Sequence, residues 1–486
     1  MKKIISIFSL LLVMTLIACS GSSLEIINSE TTQLESQTMS DYVGNLDNIY
    51  NIGLFVTDDL ATSIGINFEM PDDTSGYVEY ALLNDNQYIR GKAGKKIREF
   101  SDNSAYLFEY ILEDLSPNTT YKYRVCNEDN TETSEYHTFT TYNDEADSHT
   151  FMFLADPQES AETGYMSYAH AMLSVMEYSE VEYDLVMLPG DVVNETGTRT
   201  QWNMFFKYSS VFSYSVPMAV TTGNHEIPLV STEKVNSMEF DGYMNLPNNG
   251  PTYGMFDGLV GDERNPNFDN GKTYSFDFGE AHITVVNTEV YCDGTTECLA
   301  FDEDNVQILN DWIRNDINSS DAKWKIVMLH RGPYSLSYDT VAVRVNLAHV
   351  LEECGVDLVL SGHDHQYSRA VYQNGLLVDF SRANNYEDGT ISLIVNSEDN
   401  LHFNNYSSSL GVTYVTSNTA ATKFYGGDKS SGIKVNYAFI DEYPVIPIIT
   451  ITEDSIKVVS YAVEKETGIS IVPTSVFILE EFEITE

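Results

Sequence analysis

From Asn45 to Thr141 apolar residues come in short alternating runs broken by turn clusters, and helical spacing is nearly absent, which predicts an all-β module. After the turn at Pro117, Tyr121, Tyr123 and Val125 alternate along a single strand. Near Thr141 the pattern changes. His149 to Ala155 is apolar after its first two residues, as for a strand buried on both faces. Ala161 to Tyr178 has helical spacing, and Tyr183 to Leu188 supplies the next buried strand, so the segment reads as a βαβ unit. Five strand-like runs end in polar residues: Asp156, then Asp191, Asn224 with His225, His330, and His363 with His365. Side chains at the C-terminal ends of strands sit where α/β proteins build their sites. These ends therefore predict that scattered residues gather into one cluster. The β-prone tail from Val445 to Phe482 is expected to complete the second sheet of this domain.

The N-terminus departs from these patterns. Lys2 and Lys3 precede an apolar stretch from Ile4 to Leu16, which reads as a targeting signal, and the Ser-, Thr- and Glu-rich residues 20–44 read as a flexible linker. No later apolar run is long enough to span a bilayer. With 486 residues the chain exceeds one ordinary core, so two domains are expected. Against 26 basic residues stand 73 acidic ones, a net charge of -47, which excludes a basic nucleic-acid-binding surface. Cys292 and Cys298 bracket a short loop that a disulfide could close, and they lack the spacing of a four-ligand zinc site.

Taken one at a time, the strand-end residues have ordinary explanations. An Asp after a strand is commonly a helix cap or turn residue, and a lone histidine is commonly a satisfied core group. Together, His225 set aside, they offer two carboxylates, an amide oxygen and three imidazoles, the mixed set that suits paired borderline cations such as Zn, Mn or Fe.

The motifs Gly190-Asp191, Gly223-Asn224-His225-Glu226, His330 and Gly362-His363-Asp364-His365 resemble those of calcineurin-like metallophosphoesterases, especially bacterial relatives of purple acid phosphatases. The β module, with its Tyr121 segment, resembles the tyrosine-corner region of fibronectin type III domains. The resemblance implies a signal peptide over 1–19, a linker over 20–44, a fibronectin-like sandwich over 45–142, and a metallophosphoesterase β-sandwich flanked by helices on both sides over 147–486. It implies that Asp156, Asp191 and His365 hold one divalent ion and that Asp191, Asn224, His330 and His363 hold a second, with a hydroxide between them attacking phosphorus. His225 matches the family histidine that contacts phosphate and protonates the leaving oxygen, with Glu226 orienting it. Arg331 and Tyr334 are expected as substrate contacts. Leu16, Ile17, Ala18 and Cys19 resemble a bacterial lipobox, which implies a lipidated Cys19 and a monomer tethered to the outer face of the membrane.

Two positions depart from the family pattern. Gln158 stands where many metallophosphoesterases have His, and Asn194 stands where purple acid phosphatases have Tyr. Both are further candidates as ligands of the first metal, and Asn194 also as a substrate contact. Without a phenolate, an iron-loaded protein is expected to lack a strong visible band. The competing expectation is a surface scaffold whose phosphoesterase site has decayed.

Overall fold

The computed structural model describes residues 50–71, 73–99, 104–227, 229–230, 233–234, 238–252, 271–291, 303–378, 380, 391–395, 401–425, 432–465 and 473–486. Cys19, the linker and the Cys292–Cys298 loop lie outside the described residues. Among the described residues no helix is long and apolar enough to cross a membrane.

Eight strands form the N-terminal sandwich. One sheet runs β1 (Tyr50–Phe55), β2 (Ile64–Met70), β6 (Ser104–Leu112), β5 (Gly94–Glu99), and the other runs β4 (Ile89–Lys92), β3 (Gly76–Leu82), β7 (Thr120–Asn127), β8 (His137–Thr140). Ile66, Phe68, Val78, Phe108, Tyr123, Val125 and Phe139 fill the space between. The alternation of Tyr121, Tyr123 and Val125 is an inward-facing row on β7, and the Tyr121 hydroxyl accepts from the Ser116 amide at 2.9 Å, the bond that defines a tyrosine corner.

The rest of the chain builds two further sheets face to face. In the first, β9 (His149–Phe153), β10 (Leu185–Leu188) and β11 (Met218–Val220) run parallel, and β24 (Val445–Ile451), β25 (Ser455–Lys465) and β26 (Pro473–Thr485) continue it antiparallel from β9. The β-prone tail thus completes a sheet of this domain. Beyond β26 the ladder continues through β21 (Leu401–Ser407) to β20 (Ile391–Val395), and a separate short ladder joins β12 (Leu229–Val230) to β13 (Glu233–Lys234). The second sheet runs β14 (Tyr274–Phe278), β15 (Ala281–Val286), β16 (Trp324–Arg331), β17 (Leu358–Gly362), β22 (Val412–Thr416), β18 (Tyr367–Gln373), β19 (Leu376–Leu377), with β23 (Tyr437–Phe439) on β18. Phe151, Phe153, Met187, Ile283, Ile326, Met328 and Leu360 interlock between the sheets. A buried ion pair crosses the same gap: Arg369 on β18 meets Glu480 on β26 at 2.8 Å, and Tyr367 donates to the other carboxylate oxygen at 2.7 Å.

Helices cover both outer faces. α1 (Glu162–Ser179) and α2 (Arg199–Ser213) lie on the first sheet, α3 (Met238–Tyr243) is a short turn beside the sandwich, and α4 (Glu303–Ser319) and α5 (Val341–Glu353) lie on the second sheet. α4 turns Val306, Leu309, Ile313 and Ile317 inward at the spacing of one helical face, and α5 does the same with Val343, Leu347, Val350 and Leu351.

The two domains expected from sequence share one sheet. β1 pairs in parallel with β11 at Phe55 and Met218, and the Val56 amide donates to the Met218 carbonyl at 3.1 Å, so residues 43–486 form a single compact unit. A buried polar knot fastens the junction: Glu69 of β2 accepts from Asn51 at 2.7 Å and pairs with Arg199 of α2, while Tyr243 donates to it at 3.2 Å. Burial raises Glu69 above the ordinary carboxylate range, and Arg199 opposes that shift.

Candidate metal centre

Three neighbouring parallel strands, β9, β10 and β11, end together and deliver Asp156, Asp191 and the Asn224-His225 pair to one edge of the first sheet. On the facing sheet β16 and β17 bring His330, His363 and His365 to the same edge. Asp156, Asp191, His330, His363 and His365 are buried. They form two triplets, Asp191 with His330 and His363, and Asp156 with Asp191 and His365, each with ligand atoms within 4.8 Å of one another. Asp191 belongs to both.

The backbone makes this convergence possible. Asp156, Asp191, His363 and His365 adopt φ of 47°, 52°, 67° and 48°, a left-handed conformation that costs a residue with a side chain about 1–2 kcal/mol. The loops that hold it are tightly braced. Glu226, fully buried, accepts four amides: Asp191 and Gly223 at 2.8 Å on one oxygen, Val192 at 2.9 Å and Val193 at 3.2 Å on the other. It was expected to orient His225 and instead moulds the Asp191 turn. Burial and the charge of Asp191 push Glu226 upward, against the Gly223 and Val193 amides, which favour its charged form. Asp364 does the same for the loop after β16, accepting from Leu336, Ser337 and Tyr338 at 2.6, 2.8 and 3.0 Å. The motif glycines admit the carboxylates: a Cβ on Gly223 would lie 2.2 Å from Asp191 Oδ1, and one on Gly362 would lie 2.2 Å from Asp156 Oδ2.

Each imidazole has one nitrogen engaged from behind and the other turned inward. His330 Nδ1 donates to the Pro189 carbonyl at 3.0 Å, leaving Nε2 at 3.3 Å from Asp191 Oδ2 and 3.2 Å from Asn224 Oδ1. His365 Nδ1 donates to the Lys423 carbonyl, leaving Nε2 at 3.4 Å from Asp156 Oδ1. His363 Nε2 accepts from Arg331 at 2.9 Å, leaving Nδ1 as its free nitrogen. This is how proteins fix the tautomer of a metal-ligating histidine. Burial, with the charges of Arg331 and His330, holds His363 well below the usual imidazole range, so it is the neutral ligand form. Burial opposes charge on Asp191 too, but His330 and His225 outweigh it and hold the carboxyl well below its usual value. Gln158 places Nε2 at 3.0 Å from Asp191 Oδ2 and 3.2 Å from His365 Nε2, while its buried Oε1 has no hydrogen-bond partner. Carboxylates and inward imidazole nitrogens converge, beside a buried amide whose oxygen lacks a partner, which is a donor set that fits cations.

His225 stands just outside the triplets. Its amide donates to Asp191 Oδ1 at 2.9 Å, its Nδ1 donates to the Asn194 carbonyl at 2.6 Å, and its ring is partly open to solvent. Arg331, expected at the substrate, is turned inward: its Nε donates to buried Glu289 at 2.6 Å and its NH1 to His363. Tyr334 is not at the site. It stacks on Tyr372 with ring centroids 3.6 Å apart and meets Tyr414 edge-on at 4.8 Å, in the core beneath α5. Tyr338, four residues on, lies 5.2 Å from the His363 ring, and Tyr425 stacks on His365 at 4.3 Å. Neither aromatic was among the expected site residues, nor was Lys423, whose Nζ lies 3.3 Å from both His225 Nε2 and Asn194 Oδ1.

Comparison with known proteins agrees with this geometry. Residues 149–367 match the calcineurin-like phosphoesterase family, and residues 49–141 match the purple acid phosphatase N-terminal domain. Probable purple acid phosphatase 20 of Arabidopsis thaliana is 22% identical over 286 residues, covering 56% of this chain and 57% of that protein. Purple acid phosphatase 22 of the same plant is 26% identical over 205 residues, 40% of this chain and 41% of its own length. The chain therefore spans roughly two fifths to three fifths of these curated relatives. Among solved structures, a purple acid phosphatase from yellow lupin (Lupinus luteus) seeds superposes with a TM-score of 0.64 at 16% identity, covering 90% of this chain and 74% of that one, a likeness of fold.

Proposed function

We propose that this chain, which carries a calcineurin-like phosphoesterase domain behind a purple acid phosphatase N-terminal domain, hydrolyses phosphate esters at the buried Asp-His cluster. The observation that carries the reading is Asp191, common to both triplets, since a carboxylate can span two cations. Asp156, Asp191 and His365 would hold one ion, and Asp191, Asn224, His330 and His363 the other. Gln158, with its orphaned Oε1, is the candidate to complete the first position. Bound divalent ions, Fe, Mn or Zn, would polarise the phosphoryl oxygen and lower the pKa of a water.

The chain's own groups supply the rest. Asp191 and the backbone of Asn194 aim His225 at the open side of the cluster. As a water oxygen bonds to phosphorus and sheds a proton to solvent, the ester P–O bond breaks and the departing alkoxide takes a proton that we assign to Nε2 of the imidazolium form of His225. Arg331 keeps His363 neutral from behind. We place the protein, by way of Cys19, at the outer face of a membrane as a lipid-anchored monomer.

Metal content by mass spectrometry, with hydrolysis of chromogenic phosphomonoester and diester substrates, tests the reading. Wild type is expected to hold two ions and to turn over at least one substrate, and Asp191→Ala to lose both properties. Iron loading is expected to give no strong visible band, because Asn194 offers no phenolate. A metal-free, inactive wild type would return the chain to the scaffold reading.

A further inference from the structure

We propose that Lys423 is a substrate-reading residue whose ammonium contacts the phosphoryl group beside His225 and favours dianionic phosphate monoesters over diesters; this rests on the hydrolase reading above. Lys423 follows β22 on a loop whose backbone is tied to the metal edge at several points. Thr419 Oγ1 donates to the Asp156 carbonyl at 2.7 Å, the Ala420 amide to the Ala155 carbonyl at 2.7 Å, and the Thr422 amide to Glu159 at 2.9 Å. The Lys423 carbonyl itself accepts from His365 Nδ1. The residue that fixes a ligand histidine thus also sends its side chain across the cluster, to 3.3 Å from His225 Nε2 and from Asn194 Oδ1.

The charge environment makes this ammonium unusual. In a chain with 73 acidic residues against 26 basic ones, lysines have a surplus of carboxylates to pair with, yet no described carboxylate lies within ion-pair distance of Lys423. Its partners there, Asn194 Oδ1 and His225 Nε2, are neutral acceptors. In the resting protein His225 sets its Nδ1 proton against the Asn194 carbonyl and receives Lys423 at Nε2; once Nε2 carries the proton destined for the alkoxide, the ammonium turns to the phosphoryl oxygens. Asn194, where the resemblance expects a tyrosine, supplies the amide oxygen that this ammonium meets. A positive charge in this half-buried place offers a donor to one more phosphoryl oxygen than the cluster and His225 can serve. A monoester carries two negative charges near neutral pH and a diester carries one, so the same ammonium attracts the monoester more strongly.

Wild type, Lys423→Met and Lys423→Arg are compared in the full chain loaded with Mn, on 4-nitrophenyl phosphate and bis(4-nitrophenyl) phosphate, with inorganic phosphate as inhibitor and as calorimetric ligand. Lys423→Met is expected to lower kcat/KM for the monoester about tenfold, mainly through KM, and to weaken phosphate binding by a similar factor, the worth of one charge-assisted hydrogen bond. The diester is expected to change less than about threefold under the halved charge, metal content to stay constant, and Lys423→Arg to keep most of the monoester activity. Equal losses on both substrates, or unchanged phosphate affinity in Lys423→Met, overturn the proposal. If wild type hydrolyses neither substrate, the hydrolase reading fails while phosphate affinity still reads Lys423. A wild type that binds no phosphate overturns this inference as well.

Discussion

The residue that most repays attention outside the ligands is Glu226. Its two oxygens accept four amides, so a side chain with one acceptor and one donor end cannot replace it. Glu226→Gln would set an NH2 group against two N–H donors, at a cost of about 2 kcal/mol or more, and would let the left-handed turn at Asp191 relax. The expected outcome is a lower melting temperature together with loss of bound metal, whereas His225→Ala is expected to retain its metal. The gathering of Asp156, Asp191, His330, His363 and His365 was legible in sequence, because each follows a buried strand and strand ends converge. Glu226, expected to orient His225, and Arg331 and Tyr334, expected at the substrate, were misplaced for one reason: adjacency in sequence to a site residue was taken as adjacency in space, while turns send such neighbours backwards. Lys423 and His225, separated by 198 positions, leave no local pattern at all.

At the scale of elements, β14, β15 and α4 meet through a polar knot well away from the ligands. His282 of β15 lies between Asp277 of β14, at 2.7 Å, and Asp316 of α4, at 3.1 Å, while Ser275 and Thr284 donate to Asp316. Burial works against charge on this imidazole, but the two carboxylates outweigh it and lift His282 from 6.5 to about 9. Because the folded value is the higher one, the folded state binds the proton more tightly. The knot's contribution is therefore complete below about 6.5 and disappears as pH rises through about 9. Urea midpoints are expected to fall across that window in wild type and to lose this component in His282→Gln; parallel pH profiles for the two proteins would refute it. Sequence showed elements through periodicity elsewhere, in the alternation of β7 and the helical spacing of α1. The knot was not visible, because nothing in the spacing of Asp277, His282 and Asp316 marks them as partners.

For the whole molecule the decisive feature is the junction of the sandwich with the rest of the chain. Sequence marked a boundary near residue 142, where the apolar pattern changes. A single parallel register pair, Phe55 with Met218, leaves no pattern to read, yet it merges both parts into one sheet. A chain beginning at residue 147 would bare the edge of β11 and the α2 surface around Arg199, whose partner Glu69 would be gone. Such a truncation is expected to associate or precipitate, as light scattering would show, and the intact protein to melt in one calorimetric transition. A soluble, monomeric truncation with full metal content would contradict this.

The same junction has a mechanical side. Any tension reaching the molecule through residues ahead of Tyr50 enters along β1, which is bonded to β2 on one side and to β11 on the other. Pulling on a strand held in the interior of a sheet shears its hydrogen bonds together instead of peeling them one by one. A tether attached at that end would load the fold along its strong direction.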